Sequence, residues 1–356
     1  MDLDRFATYD HALPADLIAQ VPIEPRDAAR MLVVDRATGT LTDGMVADLP
    51  GWLRAGDLLI VNNTRVLPSR LRGHKRETGA AVEVLLLHRE GPAWRALARP
   101  VRKLRPGTVI EVPPTVMSRG DVERAVATVR VDAVHGEGMV TVSSVDLEGE
   151  GLARFGSLPL PPYIRAEQRE PGRYQTTFAT VDGSAAAPTA GLHFTPALRG
   201  RLASAGIGWA ELTLHVGLDT FRTPTVERLG DHLMHREYVH VPATTRAAVA
   251  RAKAAGGKVV AVGTTSARSL ETLGACVAGP DDDADDAFVA WTDIFIRPGY
   301  RWTTVDALLT NFHVPRSTLM VMVSAFASPE TVQAAYRHAI ERRYRFLSFG
   351  DAMLII

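Results

Sequence analysis

The second half of the chain alternates segments typical of helices with segments typical of strands, and this alternation most constrains the fold. Strands are predicted at Glu211 to Val216 and at Lys258 to Val262. Thr195 is an N-cap residue followed by a proline suited to the first helical turn, so a helix is predicted there. Another helix is predicted from 245 to 255, where two glycines stop it. This order of elements predicts an α/β fold with a mixed sheet or a barrel-like arrangement of strands.

The first half adds strands to this domain and then changes character. Strands are predicted at Met31 to Val34 and at Asp57 to Val61. From about Pro68 to Val145 the chain consists of short β-rich runs separated by turn signals, which predicts a small antiparallel β-barrel. We interpret this barrel as an insertion. The predicted catalytic domain therefore comprises residues 1–66 and 150–356, and the predicted inserted domain comprises residues 67–149.

Composition narrows the classes of protein that the chain can belong to. The lone Cys276 can form no internal disulfide and no thiolate zinc cage, which favours a reducing, cytoplasmic setting. Residues 1–10 contain no apolar run, so no signal peptide is expected, and the apolar run from Leu319 to Phe326 is too short to cross a bilayer. We expect no membrane association and a monomeric chain.

The 40 basic and 40 acidic side chains balance, which argues mildly against a nucleic-acid partner, although a local basic patch remains compatible with one.

Two glycine-containing loop segments each carry a histidine. Residues 185–195 place His193 just before a predicted helix N-terminus, whose N–H groups favour a carboxylate or phosphate. The same residues also fit a tight turn with a hydrogen-bonded histidine. Residues 214–221 place His215 near a strand end and Asp219 just beyond it, where α/β proteins bind ligands. Asp219 also fits a turn cap, and His215 also fits a buried, hydrogen-bonded position.

A third segment joins a buried strand to a helix predicted at Ala267 to Leu273. Gly263 and the three hydroxyl residues after it form an arrangement that can cradle an anion or a ribose. Neither a dinucleotide-binding fingerprint nor a P-loop is present. Ser266 also fits a simple N-cap.

A fourth segment, from Thr310 to Thr318, precedes the apolar run. Asn311 and His313 are suited to recognise a base edge, and they also fit a turn that is fixed by hydrogen bonds. Arg316 is a candidate ligand for a carboxylate or phosphate.

His232, His235 and Glu237 have a spacing that can bind a metal. Because no H-E-x-x-H pattern is present, a hydrogen-bonded structural cluster is the favoured interpretation, and no metal is expected.

Longer motifs follow one another in a fixed order along the chain. They are Leu158 to Arg165, Arg173 to Thr176, Ala186 to Phe194, Thr213 to Gly217, His232 to His235, Ala261 to Ser266, Phe295 to Tyr300, Thr310 to His313 and Ser348 to Met353. In the N-terminal part, Asp10 to Gln20 and Gly56 to Arg70 match as well. By these motifs the chain resembles the S-adenosylmethionine:tRNA ribosyltransferase-isomerase family of queuosine biosynthesis over essentially its full length.

The resemblance implies an unusual use of S-adenosylmethionine as a ribosyl donor. Related enzymes transfer and isomerise its ribosyl part onto 7-aminomethyl-7-deazaguanine at the tRNA wobble position, which gives epoxyqueuosine and releases adenine and methionine. The sulfonium acidifies the adjacent ribose carbon, so a base with a pKa near neutral is needed, and histidine supplies one.

The resemblance also implies site residues. The base is His193 or His215, with Asp219 orienting it or holding the ribose hydroxyls. Residues expected to bind S-adenosylmethionine are Thr189, Gly191, Gly217, Gly263, Thr264, Thr265, Ser266 and Arg268. Residues expected to face the anticodon and its modified base are Tyr163, Arg165, Gln175, Asn311, His313 and Arg316.

Two alternatives stay open at this point. One is the same donor chemistry on a different amine acceptor, which acceptor dependence would reveal. The other is a non-catalytic RNA-binding module, which would bind tRNA tightly without releasing adenine.

Overall fold

Two neighbouring strands made entirely of buried residues form the middle of the larger sheet. The structure is a computed structural model that describes residues 2–115, 126–136, 138–166, 170–217, 224–276 and 286–356. In it Leu58–Asn62 and Val259–Val262 pair in parallel, and every residue of both strands is buried. Apolar runs without alternation are typical of parallel strands that are covered on both faces, so these two segments define the core of an α/β sheet.

The described residues form the following elements. The strands are β1 (Arg30–Val34), β2 (Leu41–Met45), β3 (Leu58–Asn62), β4 (Thr64–Val66), β5 (Arg70–Lys75), β6 (Ala81–Glu90), β7 (Ala93–Arg99), β8 (Val109–Val112), β9 (Ala127–Val134), β10 (Met139–Ser143), β11 (Val181–Ser184), β12 (Gly208–Leu214), β13 (Glu237–Val241), β14 (Val259–Val262), β15 (Phe288–Thr292), β16 (Ala307–Asn311) and β17 (Ala352–Ile355). The α-helices are α1 (Leu49–Trp52), α2 (Gly151–Phe155), α3 (Pro196–Ser204), α4 (Ala243–Ala254), α5 (Thr264–Cys276), α6 (Thr318–Ala327) and α7 (Pro329–Glu341). Short 3-10 helices lie at Phe6–Tyr9, Ala15–Leu17, Arg26–Ala28, Val46–Asp48, Val101–Lys103, Pro171–Tyr174, Thr189–His193 and Leu229–Asp231.

The contacts divide the chain into two units. The first, called here the sheet unit, comprises Met1–Arg65, Pro162–Val181 and Ala187–Ile356. The second, called here the barrel unit, comprises Val66–Pro161 and Asp182–Ala186. The domain boundaries predicted from the sequence remain a prediction.

The sheet unit is built on nine strands in the order β15-β13-β12-β3-β14-β16-β17-β1-β2. The four strands β12, β3, β14 and β16 run parallel to one another. Their carboxyl ends therefore meet at one edge of the sheet. The strands outside this group pair with it antiparallel, β13 beside β12 and β17 beside β16.

The core of the sheet unit joins both the strands and the helices. Leu59, Val61 and Val260 are fully buried and pack with Phe194 and Leu198. Helix α3 begins as predicted, because the Thr195 hydroxyl accepts a hydrogen bond from the Leu198 N–H at 3.0 Å. Helix α5 packs across β14, β12 and β3.

The barrel unit is a closed antiparallel barrel in the order β10-β7-β6-β5-β8-β9. Its interior is filled by apolar side chains such as Val84, Ala96 and Val129. Gly73 is required in β5, since a Cβ there would lie 2.4 Å from the Glu111 carbonyl oxygen. The predicted fold class, a mixed α/β sheet with a small antiparallel barrel, is confirmed.

The third loop segment is shorter than predicted. Helix α5 begins at Thr264, so the prediction of a helix start at Ala267 was wrong by one turn. Gly263 reverses the chain at a φ of 87° and lets the helix begin at once. Ser266 is not an N-cap, because its hydroxyl donates to the Val262 carbonyl at 2.8 Å from within the first turn.

The long apolar run near the C-terminus is a buried helix. It lies in α6, where Ser317 caps the N-terminus by accepting a hydrogen bond from the Met320 N–H at 3.2 Å. Across the described ranges, no helix is both long enough and apolar enough to cross a membrane.

Candidate active site

The carboxyl ends of the parallel strands bring three of the predicted loop segments to one edge of the sheet. Strand β12 ends just before His215, β14 ends just before Gly263, and β16 ends at Asn311. Ligands of open α/β sheets bind outside the carboxyl ends of their strands. This edge is therefore the candidate active site.

The segment that carries His193 lies against the turn at Gly263. A Cβ built at Gly263 would come 3.6 Å from the Cβ of Ala190. Gly191 is packed even more tightly, since a Cβ there would lie 2.8 Å from the Phe178 ring and 2.9 Å from the Thr176 methyl group. The glycine at 191 is therefore needed for packing within the protein, and this brings the 3-10 helix of His193 to the strand edge.

Asn62 links the central strand to its neighbours. Its side-chain N–H donates to the Leu214 carbonyl at 2.9 Å and lies 3.2 Å from the Thr265 hydroxyl. Its side-chain carbonyl accepts from the Leu214 and Thr64 N–H groups, each at 3.1 Å. Asn62 was not among the predicted site residues, although an asparagine at the last position of an apolar strand is a usable signal.

His215 is half-buried at the same edge. Its Nδ1 lies 2.8 Å from the Thr64 hydroxyl, and its ring stacks on Tyr238 at a centroid distance of 5.6 Å. These two contacts fix the orientation of the imidazole. The residue predicted to orient it, Asp219, lies outside the described residues.

A buried ion pair joins β13 to α5 beside His215. Arg268 Nη1 contacts Glu237 Oε2, and the two side chains are 6% and 1% exposed. Glu237 Oε1 also accepts from the Gly217 N–H at 3.0 Å and lies 3.1 Å from His235 Nε2. Burial by itself raises the pKa of Glu237, but the charge of Arg268 and the other partners outweigh it, so the net pKa is lowered. Glu237 is therefore a buried carboxylate held in its ionised form.

Arg268 has more hydrogen-bond donors than this pair uses. Its Nε and Nη2 are buried and have no hydrogen-bond partner among the described residues. Arg268 lines a small cavity together with the first turn of α5, at Thr264 and Thr265, and with apolar side chains including Phe295 and Met322. Unmatched guanidinium donors in a buried place are costly unless an acceptor meets them. The lining of the cavity thus suits an anionic group attached to an apolar chain.

A second cluster surrounds His193. Asn311 Nδ2 lies 3.4 Å from His193 Nε2 and 3.2 Å from the Leu347 carbonyl oxygen, while Asn311 Oδ1 accepts from the Thr189 hydroxyl at 3.1 Å. Burial, together with the positive charges of Arg345 and Arg26, lowers the pKa of His193 to about 4. His193 is therefore neutral near pH 7 and a weak proton acceptor.

A small cavity adjoins this cluster. His193, Arg26, Arg173 and Ser348 are among its lining residues. The Tyr163 hydroxyl lies 2.7 Å from the Ser348 hydroxyl, and burial raises the pKa of Tyr163 to about 12.

Two further predicted residues meet this cluster through their backbones. The Gln175 carbonyl accepts from Arg26 Nη1 at 2.7 Å, and the Arg165 N–H donates to Gln20 Oε1 at 2.8 Å. The side chain of Arg165 is exposed.

Two other predicted residues lie elsewhere. His313 is buried beside His11 and Tyr336, with Nε2 lying 2.9 Å from the Thr310 hydroxyl, and it lines neither cavity. Burial, reinforced by His11, lowers its pKa to about 3. Arg316 is exposed in the turn before α6 and also lines neither cavity.

Comparison with known proteins decides the family. A protein-family model described as "Queuosine biosynthesis protein" matches residues 6–355. The chain belongs to this family. A relative from Symbiobacterium thermophilum, named S-adenosylmethionine:tRNA ribosyltransferase-isomerase, is 47% identical over 353 residues, with 99% of this chain and 100% of the relative covered. A relative of the same name from Moorella thermoacetica is 48% identical over 356 residues, with 99% and 100% covered.

A solved structure agrees with this assignment. The crystal structure of S-adenosylmethionine tRNA ribosyltransferase from Thermotoga maritima, at 2.00 Å resolution, is 33% identical and covers 98% of this chain and 100% of its own, with a TM-score of 0.56. The resemblance noted in the sequence motifs is therefore confirmed, and so is the expectation of an enzyme of the queuosine family.

For a member of this family, the histidine pair at positions 232 and 235 has a structural explanation. His235 contacts Glu237, whereas His232 packs edge-on against Phe6 at a centroid distance of 5.6 Å. In the part of the chain that the structure describes, no group of three or more His, Cys, Asp or Glu side chains is placed to hold a metal ion.

Proposed function

We propose that this chain transfers and isomerises the ribosyl part of S-adenosylmethionine onto 7-aminomethyl-7-deazaguanine at the tRNA wobble position. Epoxyqueuosine in tRNA forms, and adenine and methionine leave. The observation that carries the proposal is the buried Arg268 cavity at the strand edge. The chain that holds it is similar over its full length to enzymes named for S-adenosylmethionine and tRNA. We place the reaction in the cytoplasm, where tRNA is available.

The Arg268 cavity receives the methionine end of S-adenosylmethionine. The Nε and Nη2 donors of Arg268 pair with the carboxylate, since both lack a partner among the described residues. The N–H groups at Thr264 and Thr265 open the first turn of α5 and favour the same negative charge. Phe295 and Met322 supply an apolar wall for the methylene groups of the methionine side chain. Gly217 and Ser266 act on this site indirectly. The Gly217 N–H donates a hydrogen bond to Glu237, and the Ser266 hydroxyl donates one to the Val262 carbonyl from the first turn of α5.

His215 is the general base. It is half-buried at the same strand edge as the Arg268 cavity, whereas His193 is buried with a pKa lowered to about 4. In the tautomer where Nδ1–H donates to the Thr64 hydroxyl, Nε2 is the proton acceptor. Asp219 keeps its proposed role of orienting this base or holding the ribose hydroxyls.

The His193 cavity receives the deazaguanine. Asn311 and His193 present an amide and a neutral imidazole, which suit a base edge. Thr189 orients the Asn311 amide by donating to its oxygen. Tyr163, Arg165 and Gln175 lie around this cluster and face the anticodon, and His313 and Arg316 support the turn after β16.

Release of adenine and methionine tests the function. The purified chain is incubated with S-adenosylmethionine and with tRNA that carries 7-aminomethyl-7-deazaguanine, or with tRNA that lacks the aminomethyl group. Release that requires the aminomethyl base supports the proposal. Equal release without this base would point to another amine acceptor. Tight binding of tRNA with no adenine release would point to a non-catalytic RNA-binding module.

Alanine variants distinguish the two histidines. We expect His215→Ala to lower kcat by roughly 10²-fold or more, the usual contribution of a general base. His193→Ala should raise the KM for tRNA more than it lowers kcat. If neither variant loses more than about tenfold in kcat, the assignment of the base is wrong.

A further inference from the structure

A row of aromatic rings leads from the candidate base to the protein surface. The His215 ring stacks on Tyr238 at a centroid distance of 5.6 Å and an interplanar angle of 18°. Tyr238 in turn contacts Trp291 edge-to-face at 5.8 Å. Trp291 is 57% exposed, although tryptophan is among the most buried residue types on average. The row therefore begins inside the site and ends in solvent.

The register of the outer strands explains why the row lies at the active edge. Tyr238 of β13 is paired with Trp291 of β15, and the N–H of His215 donates to the Tyr238 carbonyl at 3.1 Å. Strand β15 runs antiparallel to β13, which runs antiparallel to β12. The carboxyl end of β15 therefore lies at the same edge as the carboxyl end of β12, and Trp291 lies on the face that carries His215.

The charge on this face suits an uncharged aromatic partner. Because side chains alternate along a strand, Glu237 points to the opposite face, where it pairs with Arg268. Within β13 and β15, the side chains that share the face with Tyr238 and Trp291 are His240 and Val289, and Val289 is 56% exposed at the far end of β15. Asp293, two residues beyond Trp291, and Arg236, two residues before Tyr238, are both exposed, so their opposite charges offset and leave the aromatic surface suited to an uncharged base face.

We propose that Tyr238 and Trp291 form a stacking surface for a nucleotide that flanks the target base in the anticodon loop. The inference rests on the proposed function and assigns part of its RNA site. Sequence-specific proteins bind single-stranded RNA loops by stacking splayed bases on aromatic side chains. Each such stack contributes about 1–3 kcal/mol by alanine substitution. The row places this stack next to His215, as a reaction on the neighbouring base requires.

Binding of a fluorescently labelled anticodon stem–loop RNA tests the surface without depending on turnover. We expect Trp291→Ala to raise the Kd for the RNA by about 5-fold to 100-fold, the range that one lost stack implies. Trp291→Phe should recover most of the affinity. The matched control is Val289→Ala, which changes an equally exposed apolar residue of the same strand and should stay within about 2-fold of the wild type. The KM for S-adenosylmethionine should be the same in all three variants.

The salt dependence identifies the kind of contact. Stacking is not ionic, so the ratio of Kd between Trp291→Ala and the wild type should persist when the salt concentration is doubled. Equal Kd values for Trp291→Ala and Val289→Ala would overturn the inference. A different result would separate the two proposals. If Trp291→Ala weakens RNA binding but the wild-type protein releases no adenine, the stacking surface is supported and the proposed reaction is refuted.

Discussion

Removing Arg268 should destabilise the fold in a way that depends on pH. Arg268→Met leaves Glu237, which is 1% exposed, as a buried carboxylate without its charged partner. Loss of one member of a buried ion pair costs about 3–5 kcal/mol. Burial then raises the folded-state pKa of Glu237 above its unfolded value, so the folded protein takes up a proton as the pH falls. The cost should therefore be largest near pH 8 and shrink toward pH 5.

The double variant Arg268→Met with Glu237→Gln separates stability from binding. It removes both charges while the glutamine oxygen still accepts from the Gly217 N–H, so we expect it to recover all but about 1 kcal/mol and to lose the pH dependence. Its KM for S-adenosylmethionine should still rise by tenfold or more, since a hydrogen bond to a charged group contributes about 1.5–3 kcal/mol. Urea unfolding at pH 5 and pH 8, with steady-state kinetics, measures both effects. A single variant that loses less than about 1 kcal/mol at both pH values, or a double variant with an unchanged KM, would refute the reasoning.

Two further predictions concern packing and acid stability. Gly191→Ala should lower the free energy of unfolding by about 1–3 kcal/mol, because its Cβ would approach Phe178 and Thr176 within 2.9 Å. The control Gly200→Ala has open space around its Cβ in α3 and should be neutral or stabilising by up to about 1 kcal/mol. Similar values for the two variants in urea unfolding would contradict the packing seen at 191. Burial lowers the pKa of His193 to about 4 and of His313 to about 3, so below pH 6.5 the unfolded chain binds protons that the folded chain does not. The free energy of unfolding should have its full value above about pH 6.5. It should fall toward pH 4 by up to about 1.4 kcal/mol per pH unit for each histidine. A free energy of unfolding that stays constant from about pH 7 to pH 5 in urea unfolding would contradict this.

Much of the fold follows from local sequence signals. The all-apolar run of β3, the Thr195 cap and the turn-separated strands of the barrel are read from neighbouring residues, and the structure confirms each. The start of α5 was misplaced because hydroxyl residues favour loops in isolation. Here Ser266 and Ser269 are bonded to carbonyls of the preceding turn, so they lie within the helix.

The meeting of the predicted loop segments at one edge follows from where strands end, whereas the pairing of Glu237 with Arg268 follows from strand register. Gly263 and Asn311 converge because parallel strands end at one edge. The Glu237–Arg268 pair joins residues 31 positions apart in sequence, and only the pairing of β13 beside β12 brings them together. A signal was present, because alternation in β13 places Glu237 on the face of the buried Val239, where a carboxylate needs a partner.

The central claim is that this chain builds a modified base from S-adenosylmethionine. Mass spectrometry of nucleosides from tRNA bearing 7-aminomethyl-7-deazaguanine, after incubation with the chain and S-adenosylmethionine, tests it most directly. The account predicts an epoxycyclopentanediol adduct on the deazaguanine, together with free adenine and methionine. An unchanged nucleoside, in a reaction where a related enzyme run in parallel modifies the same tRNA, would contradict it.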